Sequence, residues 1–389
     1  MEQKVRSNRR KEQRKRELRR KAALTAATIV LAAVLLSAFW NHNKKETQTV
    51  QAVDHKVKTL SEEESTTEPE TEEEETLRYP KVSEQYTEIV SENVRSPYVA
   101  LLDVENNCII AGKNKDARIY PASMTKVMTL IVAVEHLQDL SQTFTMTADI
   151  VDPLFREGAS RAGFEAGDTV NMEDMLYGLI LPSGADAAVG LAIMTAGSED
   201  NFAVLMNEKC EELGLQNTHF MNASGLHNEN QYTTPVEMAM ILAYAMQNPE
   251  CAKILSIYQH TTAPLASHPE GILLTSTMFG RMYGTEVPNV TIQAGKTGYT
   301  QEAGNCLVSY AEKTGHHYIA LTAGAENRWH VVYDDFELYG NYLPADESET
   351  QETTGTSEKT QALKAQTGVV MKEHLELAVT KPTSPVSFA

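Results

Sequence analysis

The chain has 389 residues, of which 42% are hydrophobic and 22% are charged, and its formal net charge is -19. This composition is that of an ordinary globular protein, and it excludes a fibrous or wholly low-complexity chain. The length allows one large domain with additional segments at its ends.

The first 40 residues combine a basic block with an apolar run. Residues 1–21 are rich in lysine and arginine, whereas residues 22–40 contain no charged side chain. A run of this length is close to the roughly 20 residues that cross the hydrocarbon of a membrane. Its end offers no small-residue cleavage site, so we predict an uncleaved transmembrane anchor rather than a cleaved signal peptide.

Positive charge before the span is expected to hold the amino terminus, residues 1–21, in the cytoplasm. The predicted location is therefore the cell membrane, with a single span and the large domain outside the cytoplasm. A basic arm that binds nucleic acid is the alternative, and the membrane-length run directly behind it disfavours that interpretation. We expect a membrane partner and no nucleic-acid partner.

Two segments that flank the large domain have the composition of disordered chain. Residues 41–84 lack hydrophobic periodicity, and residues 61–76 contain only Ser, Glu, Thr and Pro. Repulsion among the carboxylates extends such a chain, so we predict a flexible acidic linker, with a solvated segment without spacer role as the alternative. Glu, Thr, Ser and Gln dominate residues 344–389, and this composition predicts a largely disordered tail. The domain between them covers residues 85–343.

Strands are predicted at both ends of this domain, with helices between them. Apolar alternation around the Asn106-Asn107 turn predicts a hairpin of residues 98–104 and 108–111. Apolar spacing and cap residues predict helices after Pro121 and at 172–181, 185–194, 199–213 and 235–247. Strands return at 289–294, 306–311 and 318–322. This order indicates an α+β fold in which helices cover a mostly antiparallel sheet.

The string Ser123-Met-Thr-Lys126 begins the helix that follows Pro121. A serine hydroxyl is a poor nucleophile near neutral pH unless a base takes its proton. Residues three apart lie on one helix face, so the Lys126 amine can reach the Ser123 hydroxyl. Burial and the helix N-terminus lower a lysine pKa, which makes Lys126 a candidate base. The alternative, a capping serine beside a surface lysine, is disfavoured by the apolar run after Lys126.

Two further strings suit the same chemistry, Ser183-Gly-Ala185 and Lys296-Thr-Gly298. A second Lys-Thr-Gly at 313–315 separates two alternating apolar segments and is predicted to be a hairpin turn. The copy at 296–298 instead ends an apolar strand. There the glycine lets a substrate backbone lie against the strand edge, while the lysine and threonine offer charge and a hydroxyl to a carboxylate.

The four cysteines lie far apart, without a Cys-x-x-Cys pair or histidines at metal-binding spacing. This pattern indicates no metal site, and no cofactor is expected. Spacing alone leaves open whether any two of them form a disulfide. They are Cys108, Cys210, Cys251 and Cys306.

In combination, the three strings resemble those of the D-alanyl-D-alanine carboxypeptidases, which are low-molecular-mass penicillin-binding proteins of the serine peptidase class. The resemblance covers residues 97–342 and includes the segments 220–226 and 232–235. It implies a penicillin-recognising fold, an antiparallel sheet flanked by helices with an all-helical subdomain. It also implies an acyl-enzyme that trims terminal D-alanine from peptidoglycan stem peptides ending in D-Ala-D-Ala, with β-lactam antibiotics as covalent inhibitors.

The resemblance also implies a role for each matching residue. Ser123 is the expected acylated nucleophile, Lys126 its general base and Ser183 a proton relay to the leaving group. The residues expected to bind substrate are Lys296, Thr297, Gly298, Tyr299 and Arg328. The backbone amides of Ser123 and Tyr299 are expected to form an oxyanion hole. Arg328 resembles an arginine that helps to bind the terminal carboxylate.

One position departs from the family pattern, because Ala185 stands where the family usually has asparagine. A methyl group cannot bridge the lysine and the substrate backbone, so its presence is expected to cost about 1 to 3 kcal/mol of transition-state stabilisation. That loss slows acylation rather than abolishing it. Asp186 is next along the chain, but on a helix it points about 100° away and is not expected to replace the amide.

Other functions stay open at this stage. A DD-endopeptidase or a β-lactamase on the same fold uses the same strings, although no glutamate can be assigned to activate the deacylating water of a lactamase. Ala185 also allows a catalytically weakened domain that binds peptidoglycan. The intact Ser123, Lys126, Ser183 and Lys296 disfavour that interpretation.

Overall fold

The computed structural model describes residues 78–137, 139–282 and 287–345. The strands are β1 (Lys81–Glu88), β2 (Tyr98–Asp103), β3 (Cys108–Lys113), β4 (Thr143–Thr145), β5 (Thr169–Asn171), β6 (Gln259–Thr261), β7 (Leu273–Thr275), β8 (Val290–Thr300), β9 (Gly304–Lys313) and β10 (His316–Ala325). The α-helices are α1 (Thr125–His136), α2 (Ala148–Arg156), α3 (Met172–Ile180), α4 (Ala185–Ala196), α5 (Glu199–Glu212), α6 (Pro235–Gln247), α7 (Pro249–Leu255), α8 (Phe279–Met282) and α9 (His330–Asn341).

Six strands form one sheet in the order β1-β3-β2-β10-β9-β8. Neighbouring strands run antiparallel except β1 and β3, which are parallel. Two small antiparallel pairs, β4 with β5 and β6 with β7, lie among the helices. The predicted α+β class with a mostly antiparallel sheet is confirmed, and β1 is the strand with a parallel neighbour in this sheet.

Strand β1 was not expected, because its first residues, 81–84, lie in the segment predicted as linker. Most of its side chains are exposed. A strand without a buried face has no apolar alternation from which to predict it. Its backbone is nevertheless paired along β3, so the ordered domain begins earlier than its composition indicates.

The central strands are buried on both faces of the sheet. In β2, Val99 and Leu101 pack in the apolar layer that contains α9, whereas Ala100 and Leu102 pack in the layer formed by the other helices. Helix α1 lies inside that second layer and is buried along most of its length. The nucleophile string at its start is therefore fixed by the core on one side and by β8 on the other.

The predicted central helices are confirmed as α3, α4, α5 and α6 to within two residues at each end. Thr234 caps α6 through its side chain, and Pro235 is its first residue, as the sequence predicts. The second Lys-Thr-Gly string, 313–315, is confirmed as the turn between β9 and β10, where Gly315 adopts φ +82°.

The predicted anchor, 22–40, and residues 346–389 of the predicted tail lie outside the described residues. Among the helices that the structure does describe, none has the length and apolarity needed to cross a bilayer. The disulfide question is answered within the described domain, where all four cysteines are free thiols.

Candidate active site

Ser123 lies in a short 3₁₀ helix, Ala122–Met124, that leads directly into α1. Ala122 adopts φ +46°, a left-handed conformation that residues with a side chain rarely occupy. Lys126 follows one turn later and is 1% exposed, whereas Ser123 is partly exposed. The Lys126 Nζ lies 3.1 Å from the Ser123 Oγ. The structure therefore brings together the hydroxyl and the amine that the sequence predicts as nucleophile and base.

The environment of Lys126 favours the neutral amine. Its Nζ also donates to the backbone carbonyl of Ser224, a partner that the sequence did not indicate. Burial lowers the pKa of Lys126 to about 7, although the negative charges of Asp186 and Glu199 act in the opposite direction. The neutral amine that can accept a proton is thus populated near neutral pH.

The second and third strings meet through one hydrogen bond. Lys296 Nζ donates to Ser183 Oγ and to the Thr297 carbonyl, both at 2.8 Å. Burial, followed by the positive charges of Lys126 and Arg281, places the pKa of Lys296 well below its ordinary value. Ser183 itself adopts φ +66°, which turns the chain into α4 and holds the hydroxyl against the lysine. The charge of Lys126 therefore affects the protonation of Lys296.

Gly298 lets β8 lie directly against the nucleophile segment. A Cβ atom at this position would be 3.1 Å from the Pro121 carbonyl oxygen and 3.2 Å from the Ser123 amide nitrogen. Strand β8 is also the last strand of the sheet, so its outer edge is open to an added strand within the described part of the fold. This geometry suits the binding of an extended peptide beside Ser123.

Arg281 in α8 is a cation that the sequence analysis missed. Burial and the charge of Arg328 lower its pKa, and its own charge acts on Lys296. No motif surrounds it in the sequence, so only the fold reveals that its charge acts on Lys296 and is influenced by Arg328. Arg281 and Arg328 thus supply positive charge that makes this side of the site suitable for a carboxylate.

The other predicted binding residues lie along β8 and in the loop after β10. Thr297 is 5% exposed, and its Oγ1 lies 2.7 Å from the Oγ1 of Thr277, a third residue that the sequence did not indicate. Tyr299 is 63% exposed and follows Gly298 on β8. Arg328 is exposed, with its guanidinium 5.5 Å from the centre of the Trp329 ring. The oxyanion hole at the Ser123 and Tyr299 amides stays a prediction.

Ala185 is the first residue of α4 and packs in an apolar cluster with Ile150 and Leu154. Its side chain is almost fully buried. The carboxylate of Asp186 accepts hydrogen bonds from the backbone amides of residues 162–164 and 187. Both oxygens are thus engaged, in agreement with the expectation that Asp186 does not replace the missing amide.

We predict that Ala185→Asn does not raise the rate of acylation. The new amide would enter the cluster of Ile150 and Leu154, where burying an unpaired polar group costs about 1 to 3 kcal/mol. Thermal unfolding and the rate of β-lactam adduct formation measure both effects. Ala196→Asn, at the other end of α4, controls for helix propensity. Faster acylation with unchanged stability would instead show that the asparagine reaches the substrate.

One cluster with metal-ligand chemistry lies away from this site. The Asp103 and Glu105 carboxylates and the His316 imidazole have ligand atoms within 4.8 Å of one another. His316 Nε2 lies 2.9 Å from Asp103 Oδ1, at the start of β10, whereas Ser123 contacts β8 beside Gly298. These groups pair with one another and take no part in the reaction site.

The comparisons with known proteins agree with this geometry. A family model described as D-alanyl-D-alanine carboxypeptidase matches residues 83–327. The chain is 30% identical over 225 residues to D-alanyl-D-alanine carboxypeptidase DacF of Bacillus subtilis, covering 58% of this chain and 56% of that protein. It is 31% identical over 234 residues to DacC of Escherichia coli, with the same coverage. The chain thus spans a little over half the length of these relatives.

Solved structures show the same fold. The Streptomyces K15 DD-transpeptidase superposes with a TM-score of 0.59 at 26% identity, covering 66% of this chain and all of that one. A D-alanyl-D-alanine carboxypeptidase from Mycobacterium tuberculosis gives a TM-score of 0.56 at 25% identity, covering 64% of this chain and 92% of that one. The predicted penicillin-recognising fold is confirmed.

Proposed function

Because the chain belongs to the D-alanyl-D-alanine carboxypeptidase family, we propose that it is a serine-type peptidase that releases the terminal D-alanine from peptides ending in D-Ala-D-Ala. One observation carries this proposal. The buried Lys126 amine lies 3.1 Å from the Ser123 hydroxyl, in surroundings that lower its pKa to about 7. A surface lysine, with a pKa of about 10.4, is almost fully protonated at neutral pH and cannot act as this base.

In the proposed reaction, Ser123 Oγ attacks the carbonyl carbon of the penultimate D-alanine, and its proton passes to Lys126 Nζ. The peptide C–N bond then breaks. The proton held by Lys126 passes through Ser183 Oγ, which is hydrogen-bonded to Lys296, to the nitrogen of the departing D-alanine, so that Lys126 is neutral again. An ester remains on Ser123, and a water molecule that gives its proton to Lys126 hydrolyses it and releases the shortened peptide.

The cationic side of the site supports a substrate with a terminal carboxylate. Arg281 and Arg328 supply positive charge that acts on the Lys296 side of the site, and the edge of β8 accepts an extended backbone. Peptidoglycan stem peptides ending in D-Ala-D-Ala have both features. A β-lactam offers an activated amide with a nearby carboxylate, so we extend the proposal to acylation of Ser123 by β-lactam antibiotics.

Two assays on the purified protein test the proposal, with Ser123→Ala in each. The wild type is expected to release D-alanine from diacetyl-Lys-D-Ala-D-Ala and to form a covalent adduct with fluorescent penicillin, and Ser123→Ala is expected to do neither. Ser141→Ala, on an exposed turn before β4, serves as the control. An adduct that survives Ser123→Ala contradicts the assignment of the nucleophile.

The same assays separate the alternative functions. Faster cleavage of cross-linked peptide dimers than of D-Ala-D-Ala peptides identifies an endopeptidase. Rapid turnover of the penicillin adduct identifies a β-lactamase. Binding of wall peptides without any release of D-alanine identifies the catalytically weakened domain that Ala185 allows.

We further propose that residues 22–40 anchor the protein in the cell membrane, with the catalytic domain outside the cytoplasm. The uncharged apolar run and the basic residues before it support this topology. Fractionation of cells that express the full chain and a variant without residues 1–40 tests the proposal. Loss of membrane association only in the shortened protein is the expected result. Equal distribution of the two proteins contradicts it.

A further inference from the structure

The backbone that faces the Lys126 amine belongs to the segment 222–226, which connects two parts of the helical layer. The Ser224 carbonyl accepts a hydrogen bond from Lys126, and the Ala223 carbonyl accepts one from Thr129 Oγ1 at 2.7 Å. Thr129 lies on α1 one turn after Lys126. The orientation of the amine therefore depends on where this segment holds its carbonyl groups.

Glu199 holds the same segment from the opposite side. It is the first residue of α5, after the capping residue Ser198, and its Oε1 accepts a hydrogen bond of 3.0 Å from the Ala223 amide. Glu199 thus holds the amide of Ala223, and the carbonyl of the next residue, Ser224, faces Lys126. A carboxylate and the candidate base are connected through two hydrogen bonds.

Glu199 also acts on Lys126 through its negative charge, which raises the pKa of the amine. Asp186 from α4, Glu199 from α5 and Lys296 from β8 are the charged groups that act on Lys126 or respond to it. Both oxygens of Asp186 are engaged by backbone amides. The pKa of Glu199 is raised by burial and also by the charges of Asp200 and Glu157, whereas the Ala223 amide and Lys126 lower it.

We infer that Glu199 is a positioning residue for the base: through the Ala223 amide it fixes the backbone of Ala223 and Ser224 against Lys126, and its negative charge stabilises the protonated amine that forms when Ser123 is acylated. The inference rests on the proposed acyl-enzyme at Ser123. The Glu199 side chain thus has two separable roles: its oxygen holds the Ala223 amide, and its negative charge stabilises the protonated Lys126 amine. The sequence offers no motif for this residue, because its contact is with a backbone amide.

Two substitutions separate the tasks. Glu199→Gln keeps an oxygen for the Ala223 amide and removes the charge. Without that charge the protonated amine is less stable, so the rise of the acylation rate with pH is expected to move to lower pH by about one unit. Glu199→Ala also releases the peptide, and we expect at least about a tenfold loss of rate at every pH. Glu208→Gln, at an exposed carboxylate on the same helix, is the matched control and is expected to leave the profile unchanged.

The experiment measures the rate of adduct formation with fluorescent penicillin in the full-length protein across the pH range in which Lys126 titrates, together with thermal unfolding. A shifted profile in Glu199→Gln at unchanged stability supports the charge, and a uniformly slow Glu199→Ala supports the positioning. A Glu199→Gln profile that superimposes on the wild type overturns the role of the charge. Wild-type rates in Glu199→Ala overturn the positioning role. No adduct in the wild type overturns the proposed function itself, and with it this inference.

Discussion

Lys126→Arg is expected to reduce the rate of acylation by about 10² to 10⁴, the range over which a positioned general base accelerates a reaction. Arginine keeps a positive charge and can still donate to the Ser224 carbonyl, the present partner of Lys126. Its guanidinium has a pKa above 12, so at neutral pH it has no neutral form to take the Ser123 proton. Charge and contact are retained, and the ability to accept a proton is lost.

The wild-type pH profile provides the companion result. The burial of Lys126 lowers its pKa to about 7, and only the neutral amine accepts a proton. The acylation rate should therefore rise with pH through neutrality and level off once the amine is deprotonated. In Lys126→Arg this rise is expected to disappear from the neutral range, because the guanidinium does not titrate there.

Single-turnover labelling with penicillin and thermal unfolding measure these results on the same preparations. Lys253→Arg is the control, because that lysine is half exposed and pairs with Glu173 and Glu250 at the surface. It is expected to label at the wild-type rate. If Lys126→Arg retained more than about a tenth of the wild-type rate, another group would have to act as the base.

The regular elements of this fold were largely predictable because their signals are local. Helix α6 has a capping Thr234 and a proline at its first position, and the turn at 313–315 has a glycine with positive φ. Strand β1 was missed because its stability comes from backbone pairing with β3, and its side chains are mostly exposed. Backbone pairing leaves no apolar pattern in the sequence.

The candidate site likewise contains some residues that the sequence predicts and others that only the fold reveals. The residues that carry distinctive groups in short strings, such as Ser123 with Lys126, were identified before the fold was known. The Ser224 carbonyl could not be identified from the sequence, because every residue has a carbonyl and only the fold determines which one accepts a hydrogen bond from Lys126. The charge of Arg281 acts on Lys296, and the charge of a residue distant in the sequence leaves no periodicity to detect.

Gly225→Ala is expected to damage both the stability and the acylation of the protein. Gly225 adopts φ +80°, and a Cβ atom there would overlap the Ala122 carbonyl oxygen and lie 3.0 Å from the Ser123 Cα. The left-handed backbone costs an alanine about 1 to 2 kcal/mol. Overlap with the neighbouring backbone adds about 1 to 3 kcal/mol, because neither segment is free to move away.

The effect on acylation follows from where the overlap occurs. Gly225 lies next to the Ser224 carbonyl, which orients Lys126, and the atoms that it would displace belong to the residue before Ser123. A shift of about 1 Å between nucleophile and base costs about 10² in rate. Gly225→Ala should therefore label with penicillin about 100-fold more slowly than the wild type, even at temperatures where it is fully folded.

Gly197→Ala separates the cost of the left-handed backbone from the cost of the overlap between the new Cβ atom and Ala122. Gly197 has φ +79°, almost the same as Gly225, but a Cβ atom at Gly197 meets no atom within 4 Å. This control is expected to lose about 1 to 2 kcal/mol of stability and to retain the wild-type rate of acylation. If the two variants lost equal stability and equal activity, the contact between Gly225 and Ala122 would have no special part in the site. A loss of activity confined to Gly225→Ala shows that this glycine is required because the segment holding the base lies directly against the segment holding the nucleophile.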